Sequence, residues 1–351
     1  MKFDIMVSSG INHNQLLSEI KMDSQKTEQT SIIHPTIRER LQKQGYQLYG
    51  KQVAVKKCHW THNYIKEDRF CYKNAYSIES HRCIQATPTL LCNHQCSFCW
   101  RLQEKDLGLK PNWKVDESEF DSPQEVYEGL LWGWKRCISG YKPVATHEKF
   151  EEVMKPRHVA LSLAGEPTLY PYLIELLQLL KNKGLSTFLV SNGTMPDVFE
   201  KMLTSQVTPT QLYITVPAPS EEEYIRVCKP LIKDGWERIN RSLEVISNFS
   251  TRTVTRLTMA KNINMIKPKE YVPLIRKANP SFIEIKGFVP VGFSQYRVTR
   301  ENMPYIEDIQ DFANEILSEM PDYKQVFEME ESKVVILSNN KHPLKIEMKE
   351  E

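Results

Sequence analysis

The chain has 351 residues, 40% of them hydrophobic, and its 46 basic and 44 acidic side chains give a net charge of +2. This length and composition suffice for a full hydrophobic core, so the eight cysteines are not needed as the disulfide framework of a small secreted fold. Neither a signal peptide nor a run of eighteen apolar residues occurs, so we expect a cytoplasmic protein without a membrane segment.

Short β-branched runs alternate with helical patterns after a polar stretch, residues 1–35, that predicts a flexible arm. A Ser-Pro pair at 122–123 predicts a capped helix start, and leucines at 173, 176, 177 and 180 form one apolar stripe. The predicted strands are TPTLL (87–91), HVALSL (158–163), STFLVS (186–191), QLYITV (211–216), TVTRLTM (253–259) and FIEIKGF (282–288). This alternation predicts an α/β fold with a parallel sheet, either an open partial barrel or a doubly wound sheet.

Three cysteines follow the first predicted strand in CNHQCSFCW, as Cys92, Cys96 and Cys99. In both architectures the ligand site lies at the carboxyl ends of the strands. Three thiolates at this spacing can bind three irons of a 4Fe-4S cluster and leave the fourth iron open. Zinc is the main alternative, but structural zinc usually takes four ligands in two Cys-x2-Cys pairs, and one such pair exists here. The pattern therefore favours an iron–sulfur cluster.

With Phe98 before its last cysteine, this motif resembles the signature of the radical S-adenosylmethionine superfamily. The resemblance implies a partial (β/α)6 TIM-like barrel with outer helices, in which the open iron binds S-adenosylmethionine. Two later stretches, LAGEPTLYP (163–171) and SNGT (191–194), end the second and third predicted strands and resemble the cofactor-binding turns of that superfamily. On residue type alone, both are also compatible with ordinary turns. The implied cofactor contacts are Gly165, Glu166, Ser191, Asn192, Gly193, Thr194 and, at the end of the fourth strand, Thr215.

The remaining cysteines fall into two groups. Cys58, Cys71 and Cys83 precede the motif at wide, regular spacing, which suggests a second 4Fe-4S cluster with its own open iron. Cys137 and Cys228 lie in amphipathic helical patterns and are predicted to be core residues.

The region around the first six cysteines, residues 56–101, is similar to the archaeal tRNA 4-demethylwyosine synthase family of the wybutosine pathway, as are residues 215–224 and 286–304. The resemblance implies an enzyme of the carbon–carbon lyase class that condenses pyruvate with 1-methylguanosine at position 37 of tRNA-Phe. It also implies two 4Fe-4S clusters, S-adenosylmethionine and an external one-electron donor such as ferredoxin or flavodoxin. A lysine matching Lys73 is the family's candidate for a Schiff base with pyruvate, or for pairing with its carboxylate.

The resemblance divides the chain into an auxiliary-cluster and tRNA-binding extension (36–86), the partial barrel (87–330), and a C-terminal strand with an acidic tail (331–351). Two basic segments, 36–57 and 251–269, are predicted to attract tRNA phosphates, a solvated protein face being the alternative. Aromatic residues with basic neighbours are candidates for contact with a base that is splayed out of the anticodon loop, and core packing is the alternative. They are Trp60, Tyr72, Tyr76 and Trp100, with Lys56, Lys57, Arg82 and Arg101.

Two other functional classes share part of this pattern. A radical S-adenosylmethionine enzyme that acts on a protein or small molecule would carry the cluster motif without the basic segments. A zinc-containing RNA-binding module would carry cysteines and basic segments without the two cofactor-binding turns.

Overall fold

A ten-stranded mixed sheet dominates the computed structural model, which describes residues 32–347. Most of the predicted N-terminal arm and the end of the acidic tail lie outside the described residues. The strands are β1 (Gln47–Tyr49), β2 (Val53–Val55), β3 (Cys83–Thr87), β4 (His158–Leu161), β5 (Ser186–Ser191), β6 (Gln211–Thr215), β7 (Arg252–Met259), β8 (Phe282–Gly287), β9 (Lys324–Met329) and β10 (Val334–Ser338).

The six central strands, β3 to β8, are parallel and lie side by side in chain order, as the alternation of strands and helices predicts. The predicted position of the first strand, 87–91, is wrong, because β3 ends at Thr87. Pro88 follows, and its missing N–H cannot continue the parallel ladder. The Thr87 hydroxyl instead donates to the carbonyl of Thr89 at 2.5 Å and turns the chain toward the cysteine motif.

Antiparallel strands extend the sheet at both sides. β2 pairs with β3 and β1 pairs with β2, while β10 pairs with β8 and β9 pairs with β10. Because β1 and β9 are the two ends of the sheet order, the barrel is open, which confirms the predicted partial barrel.

Helices cover the outer face of the sheet. Among the described residues they are α1 (Pro35–Lys43), α2 (His59–Glu67), α3 (Pro123–Ser139), α4 (His147–Val153), α5 (Leu173–Asn182), α6 (Pro196–Ser205), α7 (Glu221–Cys228), α8 (Gly235–Ile246), α9 (Val272–Ala278) and α10 (Ile306–Glu319). The Ser122 hydroxyl caps α3 as predicted, with Glu125 completing a capping box. None of these helices is long and apolar enough to cross a membrane.

Successive residues of each strand point to opposite faces of the sheet, so the strands contribute to two apolar layers. Val159, Leu189 and Leu212 belong to the outer layer under the helices, and their neighbours Phe188 and Tyr213 face inward. The 3-10 turn Tyr72–Tyr76 lies against these inward residues and closes the inner space from below. We call this inner space the lumen.

Candidate active site

The loop from Cys92 to Cys99 leaves the carboxyl end of β3 and is held by neighbouring segments. The backbone N–H groups of Gln95 and Ser97 donate to carbonyls at the end of α7, each at 2.9 Å. The Gln103 side chain donates to the carbonyl of Cys96 at 3.0 Å. A loop fixed at several backbone positions presents its thiols in a set arrangement before any metal binds.

Arg297 provides a long-range anchor for the same loop. Its guanidinium donates to the carbonyls of Ser97, Cys99 and Arg101. It also pairs with Asp106, and both side chains of this pair are nearly buried. One side chain thus ties the segment after β8 to the cysteine loop.

The spacing of the thiols fits an iron–sulfur cluster better than zinc. In some groups of His, Cys, Asp and Glu side chains among the described residues, all ligand atoms lie within 4.8 Å of one another. Neither predicted cysteine triad is such a group. A tetrahedral zinc with Zn–S bonds of about 2.3 Å would hold its sulfurs roughly 3.8 Å apart. A 4Fe-4S cube takes one thiolate per iron at separate corners and so needs more widely spaced cysteines.

Burial disfavours the thiolate form of these cysteines. It raises the pKa of the Cys92 thiol to about 12 and raises that of Cys99 as well. Arg101 is buried beside them; burial disfavours its cation, but the nearby cysteines outweigh this effect and raise the pKa of Arg101. Cluster binding would therefore release protons and leave Arg101 as a fixed cation next to the thiolates.

Glu166 joins the ends of β4 and β5. One carboxylate oxygen accepts from the hydroxyls of Thr168 and Ser191 at 2.6 and 2.8 Å, and the other accepts from the backbone N–H of Asn192 at 2.7 Å. Burial raises the pKa of Glu166, although these donors act in the opposite direction. The two predicted cofactor-binding turns are therefore one connected structure.

The hydrogen-bond network continues from Asn192 to the start of the cysteine loop. Asn192 donates to the side chain of Asn93 at 2.9 Å, and Asn93 donates to the Thr194 hydroxyl at 2.8 Å. Gly193 adopts a φ of +77° at the turn. Thr215 ends β6 beside this region but makes no hydrogen bond to the network within the described part of the chain.

Gly165 is required by the backbone at the end of β4. Its φ is +73°, and a Cβ there would lie 2.3 Å from the carbonyl oxygen of Thr89. Only glycine lets the turn approach the segment that leads into the cysteine loop so closely.

The second cysteine triad lies on the lumen side of the sheet. Cys58 precedes α2, Cys71 precedes the turn Tyr72–Tyr76, and Cys83 begins β3. The three thiols are close enough to influence one another's ionisation. Burial raises the pKa of Cys71 to about 11 and that of Cys83 to about 12. The fold thus brings together three residues that are spread over 26 positions of the sequence.

Lys73 enters the lumen beside this triad. Its amine lies 5.7 and 5.6 Å from the ring centres of Phe188 and Tyr213. The positive field of Lys73 lowers the pKa of the Cys71 and Cys83 thiols, in opposition to burial. The structure therefore places the predicted catalytic lysine at the auxiliary triad.

Sequence reasoning missed a cluster of charged groups in the lumen. Glu284 is fully buried and accepts from Arg256 at 2.8 Å and from the Tyr72 hydroxyl at 3.0 Å. The Lys286 amine lies 4.4 Å above the Tyr72 ring and donates to the carbonyl of Ser332 at 3.2 Å. These charged residues occupy inward positions of β7 and β8. The alternation of side chains along each strand could have shown from the sequence that they share one face of the sheet.

Cys228, predicted as a core residue, is buried but also contacts a candidate ligand. Its thiol lies beside Cys96, and this contact, together with burial, raises the pKa of Cys96 well above its ordinary range. With His94 the two thiols form a close group, yet the His94 ring is already hydrogen-bonded to the Tyr224 hydroxyl at 2.7 Å.

In the basic segment 251–269, the basic side chains are either turned into the protein or paired with carboxylates, so few of them are available to RNA phosphates. Arg252 is buried, Arg256 faces the lumen, and the lysines at 261, 267 and 269 pair with carboxylates at 2.5, 3.3 and 2.7 Å. The structure therefore favours segment 36–57, where Arg40 and Lys57 are exposed, as the source of phosphate contacts.

Several predicted RNA contacts are core residues instead. Tyr72 and Tyr76 are buried in the lumen. Arg82 and Arg101 are also buried, the latter at the cysteine loop. The candidates that keep exposed surface are Trp60, Trp100, Lys56 and Lys57.

Two family models match the chain over the elements that build this site. The model described as the radical SAM superfamily matches residues 87–275, and the model described as wyosine base formation matches residues 277–339. The first match includes the Cys92–Cys99 loop and both turns, and the second includes β8 and Arg297.

Similar proteins match along most of the chain. An S-adenosyl-L-methionine-dependent tRNA 4-demethylwyosine synthase of Pyrococcus abyssi is 44% identical, over 84% of this chain and 86% of that protein. The TYW1 protein of the same description from Mus musculus is 37% identical, over 94% of this chain and 46% of the longer mouse protein. A solved structure of TYW1 with a lysine-pyruvate adduct bound is 37% identical, has a TM-score of 0.77, and covers 90% of this chain and 98% of that chain.

Proposed function

The chain belongs to the tRNA 4-demethylwyosine synthase family of the radical S-adenosylmethionine superfamily, and from this premise we propose that it condenses pyruvate with 1-methylguanosine at position 37 of tRNA-Phe. The product is the tricyclic 4-demethylwyosine, and the loss of a carbon–carbon bond in pyruvate makes the enzyme a lyase. The observation that carries the proposal is the presence of two separate cysteine triads, one gathered at the start of β3 and one in the loop that follows its end, with Lys73 beside the former.

The first site holds S-adenosylmethionine. Cys92, Cys96 and Cys99 bind a 4Fe-4S cluster, which when loaded supplies the electron that cleaves the cofactor to methionine and a 5′-deoxyadenosyl radical. The chain's contribution is position: the hydrogen bonds of Glu166 hold both cofactor-binding turns at the strand ends, next to the cysteine loop. Gly165, Ser191, Asn192, Gly193, Thr194 and Thr215 line the cofactor in this proposal.

The second site holds pyruvate. Cys58, Cys71 and Cys83 bind an auxiliary 4Fe-4S cluster with an open iron, and Lys73 is placed to attack the ketone as a Schiff-base nucleophile. The similar structure described as containing a lysine-pyruvate adduct supports an amine in this role. The buried walls exclude water from the reacting groups.

The reaction joins two pyruvate carbons to the modified guanine. The bound cofactor would supply the radical that takes one hydrogen atom from the N-methyl group and leaves as 5′-deoxyadenosine. The methyl carbon would then bond to the pyruvate carbonyl carbon, and the bond to the carboxylate carbon would break, releasing carbon dioxide and one electron that returns to the oxidised ferredoxin or flavodoxin. The guanine amino group would replace the oxygen, or the Lys73 nitrogen, on the same carbon and close the third ring, with one water lost overall. Holding both substrates at one lumen makes these steps effectively intramolecular.

The remaining partners and regions follow from the same proposal. Residues 36–86 carry the auxiliary cluster and contact tRNA, residues 87–330 form the catalytic barrel, and residues 331–351 complete the sheet and end in an acidic tail. An external ferredoxin or flavodoxin supplies the electron in the cytoplasm.

Removing each cysteine triad in turn tests the proposal. We expect about eight irons per reconstituted chain and about half that number after replacement of either triad by alanine. Loss of Cys92, Cys96 and Cys99 should abolish S-adenosylmethionine cleavage, whereas loss of Cys58, Cys71 and Cys83 should abolish product and leave some cleavage.

A Cys137→Ala variant is the matched control, because this half-buried cysteine lies on α3 and outside both triads. It should keep full iron and product. The proposal fails if the variant without Cys58, Cys71 and Cys83 still forms normal product, or if the variant without Cys92, Cys96 and Cys99 still cleaves the cofactor.

A further inference from the structure

We propose that Lys286 binds the carboxylate of the keto acid substrate, in the same lumen that holds Lys73. This inference rests on the proposed function, since it assigns a residue to the pyruvate site. It separates two tasks that one lysine cannot perform at once: Lys73 attacks the carbonyl carbon, and Lys286 holds the carboxylate.

Basic and acidic side chains meet at the inward positions of two neighbouring strands. Among the described residues, Arg256 on β7 pairs with the buried carboxylate of Glu284 on β8, and Lys286 follows Glu284 by two positions on the same face of β8. A basic side chain that is left without a carboxylate partner in a water-poor space favours an anionic ligand.

Arg256 is not the free cation. Its guanidinium pairs with Glu284 at 2.8 Å, donates to the Tyr72 hydroxyl at 3.2 Å and lies 4.4 Å from the centre of the Tyr213 ring. These contacts pair the Nε and one Nη of the guanidinium with groups of the protein itself. Arg256 therefore neutralises Glu284 and fixes the turn that carries Lys73.

Lys286 lacks such a partner. Among the residues that the structure describes, neither Lys73 nor Lys286 has a carboxylate within 4.0 Å of its amine. The Lys286 amine has one hydrogen-bond acceptor, the carbonyl of Ser332 at 3.2 Å, and an ammonium group has three donors. Donors therefore remain for a ligand carboxylate.

The position of Lys286 relates it to the auxiliary triad. Its amine lies 4.4 Å from the centre of the Tyr72 ring, and Tyr72 stands between Cys71 and Lys73 in the 3-10 turn that begins after Cys71. Lys286 is half-buried, and desolvation lowers its own pKa, with Glu284 and Cys71 acting in the opposite direction. A keto acid at the triad can therefore present its carbonyl to one lysine and its carboxylate to the other.

Binding of radiolabelled pyruvate, measured by equilibrium dialysis on the reconstituted protein without tRNA or S-adenosylmethionine, tests the assignment. Lys286→Met removes the charge and keeps the length of the side chain, and Lys286→Arg restores the charge. Lys324→Met is the matched control, because Lys324 is exposed on β9. Methyl pyruvate, a neutral ester, serves as a second ligand without the carboxylate. Iron content and thermal unfolding are measured for each protein.

We expect Lys286→Met to raise the Kd for pyruvate at least tenfold, equivalent to about 1.4 kcal/mol, while Lys286→Arg and Lys324→Met change it by less than about threefold. Wild-type protein should prefer pyruvate to methyl pyruvate, and Lys286→Met should lose that preference with its iron content unchanged. An unchanged preference, or loss of iron in Lys286→Met, would overturn the assignment. Failure of the wild-type protein to bind pyruvate at all would instead overturn the proposed function.

Discussion

Lys73 is the residue on which the proposed condensation depends most directly. It lies between two aromatic rings of the lumen wall and beside two cysteines of the auxiliary triad. A neutral amine can attack a ketone, whereas an ammonium ion can pair with a carboxylate. The residue can therefore act as nucleophile or, more simply, as a counter-charge for the substrate.

Replacing Lys73 by alanine should abolish formation of the tricyclic nucleoside under either role. Only the Schiff-base role predicts that borohydride traps labelled pyruvate on the protein, and that this label disappears in Lys73→Ala. Lys66→Ala, a change at an exposed lysine in the last turn of α2, should keep both the label and the product. Peptide mapping of the reduced adduct locates the label. Full product formation by Lys73→Ala would eliminate both roles.

Single site residues could be predicted where they form a pattern within a short stretch of sequence. Residues that act through contacts between distant segments could not be predicted. The spacing of Cys92, Cys96 and Cys99 within one loop is enough to indicate a metal site. Lys286 and Arg297 act on loops that lie about two hundred positions away in sequence. Nothing near either residue in the chain indicates that contact, because it arises only when the strands align.

Among the elements, the 3-10 turn Gly292–Tyr296 shows how a late segment controls the cysteine loop. Gly292 has a φ of +58°, and a Cβ there would lie 2.4 Å from the carbonyl oxygen of Trp100. The N–H of Phe293 donates to that carbonyl at 2.9 Å. The turn is thereby docked on the loop, with Arg297 directly after it.

Arg297→Ala should make the first cluster labile and leave the auxiliary cluster intact. The change removes three hydrogen bonds to loop carbonyls and leaves the nearly buried Asp106 without its cationic partner, a loss of about 3 kcal/mol. Iron release to a chelator should become biphasic, with about half of the iron leaving several-fold faster than in the wild type. Arg300→Ala, at a neighbouring exposed arginine, is the control. Identical release from Arg297→Ala and wild type would show that this anchor has no effect on the cluster.

Helices were predicted correctly where their capping residues and apolar stripe lie within one short stretch of sequence. The capped start of α3 at Ser122 and Pro123 and the apolar stripe of α5 are both present in the structure. The first strand was misplaced by four residues, because β-branched residues continue past Thr87 while Pro88 ends the ladder. Propensity could not distinguish the strand from the extended segment that follows it.

For the whole molecule, the parallel order of six strands could be predicted from the residue pattern, but the antiparallel strands β1, β2 and β9 could not, and a C-terminal strand within 331–351 was expected only from the family resemblance. β1 and β2 have three residues each, too few for a periodic pattern, and their pairing depends on contacts with β3. These additions explain how residues before the barrel reach its lumen. They also bring Cys58, which follows β2, to the same sheet as Cys83 at the start of β3.

The central claim is that this lumen joins pyruvate to the methyl carbon of 1-methylguanosine in tRNA. The most direct test incubates the reconstituted protein with S-adenosylmethionine, a reductant, tRNA-Phe carrying 1-methylguanosine and pyruvate labelled at all carbons with 13C, followed by mass analysis of the nucleosides. The account predicts a tricyclic nucleoside that contains two labelled carbons, formed only when all components are present. Cofactor cleavage without any labelled nucleoside, or a product whose mass shows no carbon from pyruvate, would contradict it.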